Sequence, residues 1–171
     1  MSQGIALMSN RRSFSSFYRC EYHKGFYNDS DAIESLSNIK YTDFWELPND
    51  DDFPYDTAFV LLFGSCNHFA LSLQNKLGYK PYIIENQDDK GFHAFCQIYS
   101  NRRWYYVDAR GITSSFNEFM DVAKNFVTGE YVIRPVNSDD IAEWENYGDY
   151  DKEAYAFAEA IIEKYKECYI L

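Results

Sequence analysis

Apolar and polar positions are most regularly ordered in the middle of the chain. Apolar side chains recur at helical spacing over residues 66–77, which predicts a helix there. Ser65 before this segment and Gly78 after it are residue types suited to the N-cap and to the left-handed C-cap of a helix. Aromatic and branched residues then predict three strands joined by turns into an antiparallel meander, at 81–85, 92–99 and 104–108.

Weaker patterns flank this central part. The first thirty residues show little periodicity, so we expect an irregular N-terminal extension over 1–30. Residues 48–56 hold three adjacent aspartates and two prolines, and we expect a solvated acidic loop. The remaining predicted elements are a short helix opened by a capping box at 31–34, a helix from the capping box at 115–118 to about 126, a short strand at 131–135, a solvated acidic stretch over 138–153 and a final helix over 151–167.

Length and composition indicate one folded domain spanning 1–171, and the predicted helices and strands make its class α+β. Hydrophobic residues make up 46% of the 171 positions and aromatic residues 19%, which excludes general disorder. The net charge of −11 excludes a general nucleic-acid binder and argues against docking on anionic membranes. The longest apolar run is too short to span a bilayer, and the N-terminus lacks a signal-peptide pattern. We therefore expect a cytoplasmic protein, with a specialised secretion route left open.

No motif in the chain predicts a metal or a cofactor. The four cysteines form no close pair of the kind that tetrahedral zinc sites use. Cys20 and His23 form one Cys-x-x-His pair, but no second pair accompanies it. The aspartates of 48–56 do not match the spacing of an EF-hand, and nucleotide-binding and zinc-protease motifs are absent from the sequence. We expect free thiols, no metal and no cofactor.

Three residues form a candidate catalytic constellation. Cys66 begins the predicted central helix, where main-chain N–H groups and the helix dipole favour a thiolate. A two-residue turn at 101–102 pairs positions that sum to 203, which puts His93 opposite Arg110 and Phe95 opposite Asp108. His93 and Asp108 then project from the same face of the sheet, one diagonal step apart, while Cys96 points to the other face. The geometry suits a nucleophile, a base and a group that orients the base.

The stretch over 63–113 resembles the transglutaminase-like core of the papain-like cysteine superfamily. The segments that carry the resemblance are Gly64-Ser65-Cys66, Gly91-Phe92-His93-Ala94-Phe95 and Trp104-Tyr105-Tyr106-Val107-Asp108-Ala109-Arg110-Gly111. The resemblance implies a nucleophile-bearing helix packed on an antiparallel sheet, with further flanking helices. It also implies that Cys66 is the nucleophile, His93 the base and later the acid, and Asp108 the orienting group. Asn67 follows the cysteine where the family has a tryptophan, and the candidates for the oxyanion donor and cleft lining are Asn67, Trp45 and Trp104.

Each of these residues also has a structural alternative. Cys66 could be a buried apolar residue of a core helix, and His93 a core histidine. Asp108 could cap a turn or pair with Arg110. His68 is an alternative base, although it lies on a different face of the helix from Cys66.

Two classes of function follow. The first is a cysteine-dependent acyl-transfer enzyme: a peptidase, an amidase or deamidase, or a transglutaminase-like enzyme acting on protein or peptide amides. Its acidic surface favours neutral or basic substrates, with no direct binding of nucleic acid or membrane. The second is a non-enzymatic acidic binding or inhibitory protein on the same fold, recognising a basic partner by charge complementarity. The sequence leaves the oligomeric state open.

Overall fold

The computed structural model describes residues 20–48, 52–88, 91–146 and 151–171. Five α-helices and six strands lie in these ranges. The strands are β1 (His23–Gly25), β2 (Lys80–Asn86), β3 (Phe92–Ser100), β4 (Arg103–Asp108), β5 (Gly111–Thr113) and β6 (Tyr131–Pro135). The helices are α1 (Ala32–Ser37), α2 (Cys66–Leu77), α3 (Phe116–Ala123), α4 (Ser138–Asn146) and α5 (Lys152–Lys164).

The six strands form one antiparallel sheet in the order β1-β5-β4-β3-β2-β6. The β3–β4 hairpin has the predicted register, from Ser100 opposite Arg103 to Cys96 opposite Val107. Its two loop residues have positive φ angles of 51° and 59°, as the tight turn of a two-residue hairpin requires. The coarse prediction of an α+β fold with an antiparallel meander is therefore confirmed.

Helices cover both faces of the sheet. Helix α2 has the predicted bounds and ends at Gly78 in the left-handed conformation. It packs with α5 on the face that carries Ala94 and Cys96, and the Cys96 thiol donates to the main-chain oxygen of Ala70 on α2. On the other face, Phe95 packs against Phe119 of α3 with ring centroids 4.4 Å apart. The alternation along β3 thus separates Cys96 from the His93 face, as predicted.

The β4–β5 hairpin corrects the predicted pairing near the site. We expected Phe95 to face Asp108, but the β3–β4 ladder ends at Cys96 and Val107. The chain instead turns after Asp108, which pairs with Gly111 to begin the hairpin to β5. Gly111 has a φ of 114°, and a side chain there would collide with the main-chain oxygen of Lys24 on β1. Strands β3 and β4 therefore part where the candidate residues lie.

Other predicted elements need correction. The 1–30 segment contains β1 and a 3-10 turn at Phe26–Asn28, and a strand this short leaves little periodicity to detect. The stretch over 138–153 is not a solvated coil, because its first part forms α4, whose Trp144 is buried. The helix opened by Ser115 ends at residue 123 rather than 126, and the final helix covers 152–164. Residues 49–51 of the 48–56 segment, which include two of its three adjacent aspartates, lie outside the described residues, as do residues 1–19.

The end of the chain is anchored under the sheet. Tyr169 is fully buried against Phe69 of α2, with ring centroids 5.4 Å apart. Its hydroxyl donates to the main-chain oxygen of Ala109, 3.0 Å away in the β4–β5 turn. This contact ties α2 to the turn that carries Asp108 and Arg110. None of the helices in the described ranges combines the length and apolar character needed to cross a bilayer.

Candidate active site

The thiol of Cys66 lies where β3 and β4 part. Cys66 is the first residue of α2, and its Sγ accepts a hydrogen bond from the main-chain N–H of Ala94 at 3.3 Å. Ala94 pairs with Ile83 of β2 on one side. Its N–H points to the other side, where β4 no longer pairs with β3. The end of the β3–β4 ladder therefore frees a donor for the sulfur and lets the helix terminus reach the His93 side of the sheet.

His93 is fully buried beside this thiol. Its ring stacks on Phe126 at an interplanar angle of 7° and also contacts Phe119. The Nε2 atom lies 3.6 Å from Oδ2 of Asp108, and among the described residues neither ring nitrogen makes a hydrogen bond of standard geometry. Long distances of this kind are common in catalytic groups before substrate binds. The aromatic packing fixes the ring between the thiol and the carboxylate.

Burial and charge act in opposite directions on these groups. Burial tends to raise the pKa of the Cys66 thiol, but His93 and the N–H groups of Ala94 and Asn67 outweigh it and lower that pKa below its ordinary value. Burial tends to lower the pKa of His93, whereas attraction to Asp108 and Cys66 raises it to about 9. Both directions favour a thiolate paired with an imidazolium, the charge state that a nucleophilic cysteine needs.

Asp108 makes the contacts of both alternatives that the sequence left open. It lies 3.6 Å from His93, and it also accepts hydrogen bonds from the Arg110 main chain at 2.9 Å and from Arg110 Nη2 at 2.6 Å. Burial acts to raise the pKa of this carboxyl, but the charges of Arg110 and His93 hold it well below its usual range. Tyr27 adds a further donor at 3.3 Å. Sequence patterns missed Tyr27, because nothing local connects it to a residue 81 positions away.

A cavity of about 210 Å³ adjoins the N-terminus of α2. Residues on both sides of Cys66 line it, together with the residue before His93; the full lining is Tyr55, Gly64, Ser65, Asn67, His68, Phe92 and Asp151. Ser65 occupies the N-cap position but makes no capping hydrogen bond with its side chain, and its hydroxyl interacts with Tyr55. The first-turn N–H groups of α2 therefore keep no side-chain acceptor from their own cap, in contrast to α1, α3 and α5.

The structure brings one of the three candidates for the oxyanion donor and cleft lining to this cavity. Asn67 is buried and lines it. Trp45 is 40% exposed and packs on Tyr41, Phe44 and Phe157, and Trp104 is 48% exposed against Tyr99. Neither tryptophan lines the cavity.

His68 makes a structural contact with the start of α5. Its Nε2 accepts the main-chain N–H of Asp151 at 2.8 Å, at the start of α5. This bond uses a lone pair that a catalytic base would need.

A second group of side chains that could bind a metal lies at the β1 edge of the sheet. Glu21, His23 and Glu118 place their ligand atoms within 4.8 Å of one another. His23 Nε2 is 3.0 Å from Glu118, and the Thr113 hydroxyl donates to the same carboxylate. These atoms contact one another, and Cys20 lies outside the group.

No protein-family model, curated protein or solved structure matches this chain.

Proposed function

We propose that this protein is a cysteine-dependent acyl-transfer enzyme that acts on protein or peptide amides through a thioester at Cys66. The observation that carries the proposal is the buried row of Cys66, His93 and Asp108 at the N-terminus of α2. The resemblance to the transglutaminase-like core of the papain-like superfamily assigns the same three residues. That this chain has the specific fold of that superfamily is part of the proposal.

The chemistry starts from the thiolate–imidazolium pair. The Cys66 sulfur attacks the amide carbonyl carbon, and the carbonyl oxygen takes up negative charge near the N–H groups of the first turn of α2. As the C–N bond breaks, the proton on His93 passes to the leaving nitrogen, and a thioester remains. His93 then takes a proton from water or an amine, which attacks the thioester and releases the thiolate.

Asp108 holds the imidazole for both proton transfers. Because its carboxylate stays ionised, it stabilises the imidazolium without taking the proton itself. The cavity beside Asn67 is the space into which the substrate amide would fit. Water as the acceptor gives hydrolysis or deamidation, and an amine gives transamidation.

A non-enzymatic binding protein is the second candidate, and the depth of the site favours it. His93 has no exposed surface and Cys66 is only 6% exposed. A substrate would need part of this cover to move, whereas a binding protein would not.

An activated acyl donor separates these two functions. Wild-type protein incubated with p-nitrophenyl acetate should carry one acetyl group on Cys66 by peptide mass spectrometry, and C66A should carry none there. C96A is the matched control, because it removes the other buried thiol and should leave the Cys66 adduct intact. Folded wild-type protein that shows neither a Cys66 adduct nor faster release of p-nitrophenol than C66A would contradict the enzyme.

The acceptor is identified with peptides. Wild type and C66A are incubated with basic glutamine-containing peptides, with and without an added amine. A cleaved backbone indicates a peptidase, conversion of glutamine to glutamate indicates a deamidase, and incorporation of the amine indicates transamidation. Products that form equally with C66A would contradict a role for the cysteine.

A further inference from the structure

Arg110 completes a buried chain of charges behind His93. Its Nε lies 3.2 Å from both oxygens of Asp108, and Nη2 lies 2.6 Å from Oδ2. Its main-chain N–H adds a fourth contact to the same carboxylate. The Arg110 side chain is 5% exposed and Asp108 is 2% exposed. The guanidinium and the imidazole therefore approach one carboxylate in a region closed to water.

The guanidinium is fixed by its other contacts. Nη1 and Nη2 donate to the main-chain oxygens of Glu118 and Phe119 on α3, at 3.1 Å and 3.0 Å. Its carbon lies 4.6 Å from the ring centre of Tyr27, whose hydroxyl also donates to Asp108. An arginine held on three sides keeps the carboxylate in one orientation.

The signs of the charges alternate along the row. The four formal charges sum to zero when Cys66 is a thiolate, His93 an imidazolium, Asp108 a carboxylate and Arg110 a guanidinium. Buried charges are tolerated when they are paired, and an uncompensated one is costly. Without the Arg110 charge the row would be left with one excess negative charge. The row becomes neutral again when Cys66 keeps its proton, and Cys66 is then a thiol instead of a thiolate.

We propose that Arg110 is a positioning residue that acts through Asp108 and His93 to keep Cys66 as a thiolate. This inference rests on the proposed function, because it concerns the charge state of the same nucleophile. The other titratable groups that face this row are Tyr27, Glu118, Asp121 and Tyr169, and all four are neutral or acidic. Among the groups described around Asp108, Arg110 thus supplies the permanent positive charge.

The test is the rate of Cys66 alkylation by iodoacetamide as a function of pH. In R110M, alkylation at about pH 6.5 should fall about tenfold, because the thiol form is favoured. R110K keeps the charge but loses the fork of N–H donors, so its alkylation should fall less than that of R110M. R134M is the matched control: it removes an arginine whose partners are Glu85 and Asp140 rather than members of this row, and it should leave the profile unchanged.

A double variant separates charge from structure. In D108N/R110M the row is again neutral with Cys66 ionised and His93 protonated, so alkylation at about pH 6.5 should recover above that of R110M. A purely structural role predicts that the double variant is no better than R110M. If R110M alone fails to fold, R110K and the double variant are compared with wild type, and loss of Cys66 alkylation at about pH 6.5 in both folded variants would overturn the inference.

The outcomes distinguish this inference from the proposed function. If wild-type Cys66 is reactive at about pH 6.5 and folded R110M follows the same profile, the role of Arg110 is overturned and the nucleophile stands. Loss of reactivity in R110K equal to that in R110M would also overturn it. If wild-type Cys66 behaves as an ordinary thiol, the proposed function itself fails.

Discussion

The main-chain N–H of Ala94 donates to Cys66 Sγ at 3.3 Å, which joins the middle strand of the sheet to the first residue of α2. The donor is available because the β3–β4 ladder reaches only as far as Cys96, two residues after Ala94 in the chain, and leaves Ala94 without a partner on β4. The same parting of the strands gives the sulfur access to the His93 side of the sheet. Cys96, two residues beyond Ala94, lacks these conditions, and burial raises the pKa of its thiol.

The raised pKa of His93 predicts a pH dependence of stability. A group whose pKa rises on folding stabilises the fold below its unfolded value, near 6.5, and loses this effect as pH rises through the folded value of about 9. Ionisation of the Cys66 thiol releases a proton that offsets the one taken up by His93, so the comparison is made without this thiol. Between these limits C66A should lose about 1 kcal/mol of unfolding free energy relative to C66A/H93Q. Urea denaturation at a series of pH values measures the difference. Parallel curves for the two proteins would show that His93 is not protonated by folding.

Tyr169 should contribute to stability through both its ring and its hydroxyl. Y169F leaves the Ala109 oxygen without its buried donor and should cost about 1–2 kcal/mol. Y169A also removes a fully buried ring and should cost about 3–5 kcal/mol. Chemical denaturation provides the values, with Y99F at a 60% exposed position as the control expected near zero. A Y169A protein as stable as wild type would contradict the anchoring of the chain end.

The charge of the cavity should affect which reagents reach Cys66. Asp151 is the carboxylate that lines the cavity, and no lysine or arginine is found among its described lining residues. Relative to Cys20, which is exposed, Cys66 should prefer cationic bromoethylamine over anionic iodoacetate by about two- to fivefold.

The variant D151N isolates that charge. Asparagine is also a good N-cap, so α5 should remain folded while the preference for the cationic reagent falls. D31N makes the same change at the N-cap of α1 and should leave the preference unaltered. An unchanged preference in D151N would show that this carboxylate does not act on the reagent.

Local signals were sufficient for the central part of the fold. Helix α2 has its apolar spacing and its terminal glycine within a short segment of sequence, and the β3–β4 register follows from a two-residue turn. These two features depend on neighbours along the chain, and for that reason sequence patterns could predict them. The contact between His93 and Asp108 does not follow from that register, because the ladder ends short of both residues and the β4–β5 turn places Asp108.

Other features depend on distant parts of the chain. Helix α4 looked like a solvated acidic stretch because most of its side chains are polar, yet Trp144 stacks on Phe92 and Asp140 pairs with Arg134. Strands β1 and β5 have three residues each, too few to show alternation. The role of Arg110 depends on the fold of α3, which supplies its carbonyl partners.

The pH profile of Cys66 alkylation tests the central claim most directly. Iodoacetamide should label Cys66 at about pH 6.5, well below the range in which an ordinary thiol reacts, while buried Cys96 in the same molecule stays unlabelled. In H93Q the Cys66 profile should move to that of an ordinary thiol. Identical Cys66 profiles in wild type and H93Q, or a wild-type Cys66 that reacts only at the pH of exposed Cys20, would contradict the account.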